Sequence, residues 1–389
     1  MMHEFYGEGA AFFESKTCGH TAHEIAHQPQ MWRALGSYLK EKKQEIAQFM
    51  DSIGNLKNIR IVLTGAGSSG FVGRAVAGFV AEASGLSCEA IHTTDIVSAP
   101  DMCLFADKPT LLISFARSGN SPESVGAVEY ARKVIKDLYE IAIVCDGGSR
   151  LSAATQEAKN GLLLVMPEGT NDKGFAMTSS VSTMILAGFA ALCWQQIDAI
   201  ADDMNTLADS VKKAGISMAT AAQVCAAWGF ERAWYLGSGP LTALVQEGAL
   251  KMMELSNGAV VAGHNNAPEF RHGPKTVMNS KTLTVHFISN NAFTAKYDMD
   301  LLSELYSQRD GNKVVAIHDT SSPAPGDLAV SYTSSGYTIG AGVATGIQGL
   351  VFMQLLSIYT SLRLCITTDN PSPKGLVNRV VQGVTVYPL

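Results

Sequence analysis

Three β-like runs occur twice in this chain at nearly constant spacing. RIVLTGAGS at 60–68 returns as RAWYLGSGP at 232–240, PTLLISFA at 109–116 as TLTVHFIS at 282–289, and EIAIVCD at 140–146 as KVVAIHD at 313–319. Gly65 and Gly237 lie 172 residues apart, Leu112 and Thr284 likewise 172, and Ile141 and Val314 173. A shared offset across three strands predicts two tandem copies of one α/β unit, joined near Asp198 to Gly215. The Val/Ile/Leu runs lack alternation, as strands buried on both faces of a parallel sheet do. Gly/Ser turns lead from strands into helical runs of small residues, a βαβ pattern. The expected division is a helical N-terminal extension at 1–55, a first α/β domain at 56–205 and a second at 206–389. At 389 residues the chain exceeds the roughly 250–300 at which a single core stops growing.

Charge narrows the partners. With 29 Lys+Arg against 35 Asp+Glu, a net charge of −6, no basic stripe is available for a phosphate backbone or an anionic membrane surface, which argues against both partners. Charged residues make up 16% against the ~25% usual in soluble domains, so part of the surface is expected to be covered by further copies of the chain. The seven cysteines, at 18, 88, 103, 145, 193, 225 and 365, are odd in number and never form C-x-x-C, as suits a reducing compartment. The N-terminus lacks a basic segment followed by an apolar one. The longest helix-like apolar stretch, Val181 to Trp194, is shorter than the ~20 residues that span a bilayer. These features together predict a soluble, cytoplasmic homo-oligomer.

Two turns in the first copy carry candidate ligands. Gly65-Ala66-Gly67-Ser68-Ser69-Gly70 matches G-x-G-x-x-G after a strand. A dinucleotide site also wants an acidic residue near the end of the second strand, where Glu89 and Asp95 are poorly placed. The same turn could bind a phosphate monoester through helix N-terminal amides and the hydroxyls of Ser68 and Ser69, or could be structural only. Arg117-Ser118-Gly119-Asn120-Ser121-Pro122 follows the strand TLLISFA, at the sheet end where ligands bind. Ser118 and Ser121 can cap the following helix or complete a phosphate site with Asn120, Arg117 supplying a counter-charge. The second copy has FISNNAFT in place of SFARSGNSPES, so an anion site is expected in the first copy only.

The second copy carries groups suited to proton transfer. In LTALVQEGALKMMELSNG, Glu247 and Glu254 lie two turns apart on one helix face, and Lys251 is placed to pair with Glu247 on a solvated face. Glu254, between Met253 and Leu255, is open to partial desolvation and a raised pKa, as a base abstracting a proton beside a carbonyl requires. His272, in the irregular segment Glu269-Phe270-Arg271-His272-Gly273-Pro274, is either an acid–base residue or an ordinary surface histidine. His23-Glu24-Ile25-Ala26-His27 is formally H-E-x-x-H. Pro29 follows at once and no third ligand stands at metzincin spacing, so a solvated first helix competes with a zinc site.

With these residues in hand, the sequence resembles the sugar-isomerase (SIS) family. The family's turns appear as Gly67-Ser68-Ser69 and as Ser118-Gly119-Asn120-Ser121, and EGALKMMEL at 247–255, RHGP at 271–274 and NRVVQGVTV at 378–386 add specificity. The likeness is strongest to the family's galactosamine-6-phosphate deaminase/isomerase branch, long described as tagatose-6-phosphate ketose/aldose isomerases. It runs from about Gln28-Pro29 to the C-terminus and includes GFAMTSS at 174–180. More distantly the chain resembles the isomerase half of glucosamine-6-phosphate synthase. The resemblance implies two tandem repeats, each a parallel five-stranded sheet flanked by helices, acting on a sugar phosphate without metal or redox cofactor. It further implies Ser69, Ser118 and Ser121 as phosphate ligands, Glu254 as the carboxylate shuttling a proton between C2 and C1, and His272 as the ring-opening histidine, contributed in the synthase by the neighbouring subunit. Thr178, Ser179 and Gln382 are implied as substrate contacts, with active sites at the interface of a homodimer or homotetramer. Two positions depart from the pattern: Ala116 stands where the family has the first serine of S-x-S-G, and Gln382 where the synthase has a lysine. Lys374 and Arg379 are the nearest cations. A sugar-phosphate-sensing module without catalysis and a dinucleotide-dependent oxidoreductase are the rival readings.

Overall fold

The computed structural model describes residues 1–381 and 383–389; Gln382 lies outside them. Among the described residues, ten strands form two sheets. β1 (Arg60–Gly65), β2 (Glu89–His92), β3 (Thr110–Ala116), β4 (Leu138–Val144) and β5 (Gly161–Val165) lie in the order β2-β1-β3-β4-β5. β6 (Arg232–Gly237), β7 (Val261–Asn265), β8 (Thr282–Phe287), β9 (Lys313–Asp319) and β10 (Leu328–Tyr332) lie in the order β10-β9-β8-β6-β7, the same connectivity read from the other edge. Every strand pair is parallel. Ile61 pairs with Leu111 and, 172 residues on, Ala233 with Leu283, so the repeat and the five-stranded parallel sheets are as expected. One detail differs. Ile113 pairs with Ile141 and Val285 with Val315, which sets the β4-to-β9 offset at 174. Strand side chains alternate between faces, so matching these runs at 173 exchanges inward and outward positions.

The chain forms two compact units. The β1–β5 unit comprises Gln30–Asp172, Ser179–Asn205 and Val377–Leu389, and the β6–β10 unit Met1–Pro29, Lys173–Thr178 and Thr206–Leu376. In the β1–β5 unit, β1 enters the helix Ser68–Ser84 through a turn whose closeness needs glycine: a Cβ on Gly65 would lie 2.5 Å from the Ser69 carbonyl carbon, and Gly67 has φ +54°. The helix Pro122–Val134 has Pro122 in its first turn and Ser121 as N-cap, with Ser121 Oγ accepting from Ser124 N.

The helical N-terminal extension is not solvated throughout. Trp32, Leu35, Leu39, Ile46 and Met50 form one stripe of the helix Gln28–Ile53 and are fully buried; a stripe at helical spacing packs against the core even when the overall composition is polar. Trp32 Nε1 donates to Ser182 Oγ at 3.0 Å.

In the β6–β10 unit the helix Leu241–Leu255 packs on the helix Ala341–Arg363, where a Cβ on Gly248 would meet the Met353 sulfur. Ala341–Arg363 is long and apolar enough to cross a membrane by length and composition, and the apolar-run reading at 181–194 passed over it. Within the protein 89% of its most apolar window is buried, as in a central core helix. Phe287 fills the space beside Gly349 and is fully buried, a contribution of roughly 2 kcal/mol.

Candidate active site

In the β1–β5 unit the hydroxyl-bearing turns sit on neighbouring strand ends, since β1 and β3 pair directly. Ser68 and Ser69, both buried, open the helix after β1. The third glycine of the turn, Gly70, is required because a Cβ there would lie 2.3 Å from the His92 ring. His92 ends β2 on the side where a dinucleotide would need its acidic residue, while Glu89 is held by Arg60 (Nε–Oε1 2.8 Å, Nη2–Oε2 2.7 Å). Beyond β3, Ser118 Oγ accepts from Asn120 N and Ser121 Oγ donates to Ser124 Oγ at 2.6 Å. Ser121 is therefore a cap, a role compatible with ligand binding. Asn120 is occupied within the loop, its amide donating to Ser118 O (2.9 Å) and its Oδ1 accepting from Arg150 N (3.0 Å).

Arg117 has an anchoring contact that no spacing rule could reveal. Its guanidinium is buried and donates through Nη2 to Arg379 O at 2.6 Å. Arg379 in turn donates through Nε to Asp172 O at 2.9 Å and through Nη2 to Asn171 Oδ1 at 3.0 Å. Asp172 is fully buried, and its carboxylate accepts from the backbone amides and hydroxyls of Ser179 and Ser180. Ser179 thus opens the helix Ser179–Leu192 as a capped residue. Thr178, buried in the β6–β10 unit, has its carbonyl bonded by Gln354 Nε2 at 3.3 Å. Lys374 is exposed.

In the β6–β10 unit, Lys251 does not lie on a solvated face. It is fully buried, with Nζ 3.2 Å from Glu247 Oε1 and in closer contact with Glu254 Oε2. Burial, the largest influence on Lys251, works to lower its pKa, but the charges and hydrogen bonds of Glu247 and Glu254 outweigh it and hold the pKa above the ordinary lysine value. Glu247 is 1% exposed and the Glu254 side chain 27%. One end of the Glu254 carboxylate is thus fixed by an ammonium while the side chain remains reachable. The spacing Glu-x3-Lys-x2-Glu was the available signal, but it could not say which helix face is covered.

His272 is exposed on a tightly held loop. Phe270 is fully buried, Gly273 has φ +121°, and Arg271 bonds Glu304 (2.7 Å) and Asp300 (3.0 Å). Lys275 bonds the other Glu304 oxygen. The flanking residues are pinned and the imidazole is offered outward.

The formal H-E-x-x-H resolves into packing. Glu24 is buried and accepts from the amides of Lys173 and Gly174, and the rings of His23 and His27 meet edge to face at 4.9 Å. Burial, then His20 and Lys173, lowers the pKa of His23. Among the described residues no three His, Cys, Asp or Glu side chains are arranged to hold a metal ion.

Two parallel βαβ repeats, serine turns on one and a carboxylate–lysine–carboxylate helix on the other, define a class: the chain belongs to the SIS-domain family, whose model matches residues 56–193. Over 374 residues it is 37% identical to the D-galactosamine-6-phosphate deaminase AgaS of Shewanella sp. (strain ANA-3), covering 95% of this chain and 92% of that one. It is 36% identical over 371 residues to the protein of the same name from Escherichia coli O157:H7, covering 95% of each. The crystal structure of tagatose-6-phosphate ketose/aldose isomerase from Escherichia coli superimposes with TM-score 0.85 at 33% identity, covering 95% of this chain and 96% of that one.

Proposed function

We propose that the protein is a D-galactosamine-6-phosphate deaminase/isomerase of amino-sugar catabolism, releasing ammonia and D-tagatose 6-phosphate. The observation that carries this reading is the near full-length likeness to proteins named for that deaminase. The 6-phosphate docks on Ser68, Ser69, Ser118 and Ser121 and contributes binding energy remote from the reacting carbons. His272 transfers the proton that opens the pyranose. Glu254, oriented by Lys251, removes the C2 proton and returns it to C1 through an enolamine. The resulting ketimine is hydrolysed, so that water supplies the ketone oxygen and nitrogen leaves as ammonia. The protein works in the cytoplasm as a homo-oligomer, and the outward His272 supports its use at a subunit interface.

The solved tagatose-6-phosphate ketose/aldose isomerase favours a second reading, in which C2 bears oxygen and the same groups run an enediol isomerisation. Ammonia and ketose phosphate measured in parallel separate the two. Ammonia in step with tagatose 6-phosphate from galactosamine 6-phosphate is expected. Conversion of galactose 6-phosphate to tagatose 6-phosphate, with no ammonia from the amino sugar, would establish the second reading instead.

A further inference from the structure

The strand-end loops of the two sheets differ in how they close. In the β1–β5 unit the loops after β3 and β4 are joined: Leu151 N donates to Gly119 O and Arg150 N to Asn120 Oδ1, each at 3.0 Å, and a Cβ on Gly119 would fall 2.2 Å from Ser149 Oγ. In the β6–β10 unit, among the described residues, no hydrogen bond joins 289–293 to 319–323. These loops part around a cleft of about 420 Å³ at the carboxyl ends of β8 and β9. Ile288, Met299 and Pro323 give it apolar walls, and Asn290, Lys296 and Asp319 are its strongest polar groups. Ligands of open parallel sheets bind at this end, and apolar walls with a few convergent polar groups suit a small molecule.

The polar groups define what fits. Asp319 is nearly buried. Its Oδ1 accepts from Ser321 N and Oγ, and its Oδ2 from Ser334 N, with the Ser334 side chain also bonded to the carboxylate, so what it presents to a ligand is its negative charge. Burial, its largest influence, would raise the pKa, but the bonds from Ser321 and Ser334 hold the carboxyl below its ordinary value. It is therefore an anion at neutral pH. The Lys296 ammonium, in the first turn of the helix Thr294–Ser307, is exposed and makes no hydrogen bond or ion pair among the described residues. The Asn290 amide and the Ser322 hydroxyl are likewise uncommitted. One wall offers a carboxylate charge to an ammonium group, another a cation for an anionic group, with neutral donors and acceptors besides.

We propose that this cleft is a second small-molecule site, distinct from the groups assigned to catalysis, for an amino-sugar phosphate: a polyhydroxylated molecule carrying both an ammonium and a phosphate. The choice of amino-sugar phosphate rests on the proposed reaction; the zwitterionic chemistry rests on Asp319 and Lys296. The test is calorimetric titration of the full-length Glu254→Gln protein, in which turnover is slowed, with galactosamine 6-phosphate. Two molecules bound per chain are expected. Lys296→Glu and Lys296→Ala, at an exposed residue whose side chain makes no hydrogen bond or ion pair among the described residues, should each weaken one of the two events about 10- to 100-fold, while Ser118→Ala with Ser121→Ala should weaken the other. A single event abolished by the serine changes and indifferent to Lys296, or no binding at all, would overturn the cleft. A single event that depends on Lys296 and not on the serines would keep the cleft and overturn the phosphate loops. The deamination reading stands or falls separately, on ammonia release by the unaltered protein.

Discussion

At the ends of β1 and β3 the turns are glycine and serine, and in the second of them Ser118 Oγ accepts from Asn120 N and Ser121 Oγ donates to Ser124 Oγ. At the ends of β6 and β8 the corresponding turns converge on a carboxylate instead: Asp298, fully buried, accepts from Ser238 Oγ at 2.5 Å and from Ser289 N at 2.9 Å, with His286 Nε2 at 4.0 Å. Asp298 stands 172 residues after Gly126, a position without a side chain. Two sheets of one connectivity thus close their turns differently, the second drawing those after β6 and β8 onto a buried carboxylate. The sheet supplies converging loops; whether they are filled internally or left for a ligand is a local matter. In the second unit the turns after β6 and β8 close on Asp298, and the groups proposed for catalysis lie on the helix Leu241–Leu255 and the His272 loop.

This contrast can be broken at several points. Glu254→Gln should lower kcat about 10²- to 10⁴-fold while a non-reactive phosphate ester binds within about twofold; steady-state kinetics and competition reveal it, and a parallel loss of ester binding would mean that the division between the units is wrong. Lys251→Met leaves the buried Glu247 carboxylate without its cation, at a cost of about 3–5 kcal/mol. Thermal unfolding should show a fall on the order of 10 °C, whereas an unchanged midpoint would contradict the buried triad. Asp298→Ala strands the Ser238 hydroxyl and the Ser289 amide, a loss of about 1–3 kcal/mol by denaturant titration; a neutral outcome would remove the carboxylate as the group that closes these turns.

The smallest effect is pH-dependent. Hydrogen bonds from Lys275, then Arg271, hold the Glu304 carboxyl below its ordinary value despite partial burial. A depressed carboxyl pKa contributes stability that is present above the ordinary value near 4.3 and lost as pH falls through the folded value. The melting difference between the parent and Glu304→Gln should be about 1 kcal/mol or less at neutral pH and vanish in acid. A difference that persisted in acid would mean the His272 loop is held by packing at Phe270 rather than by charge.

The repeat was legible because strand periodicity and turn chemistry are local, and the glycine and serine turns at the ends of β1 and β3 stand out in the sequence for the same reason. Lys251 was misread because an i, i+4 spacing defines a pair but not what lies against it; Met353 opposite Gly248 comes from a helix about a hundred residues on. The helix Ala341–Arg363 was passed over because Thr, Ser, Gln and Gly interrupt its apolar run, though tertiary packing buries them equally. Arg117 read as a counter-charge, while its bond to Arg379 O spans 262 residues, a separation at which no motif operates.

The compact units are interleaved along the chain: Lys173–Thr178 belongs to one while its flanks belong to the other, and the final residues from Val377 return to the β1–β5 unit. No single scission therefore yields two self-sufficient halves. Cleavage inside the helix Ile197–Ala227 would leave the amino-terminal fragment lacking its last thirteen residues and the carboxyl-terminal fragment lacking its first twenty-nine. During synthesis the loop after β3 cannot acquire its anchor until Arg379, 262 residues beyond Arg117, has been made.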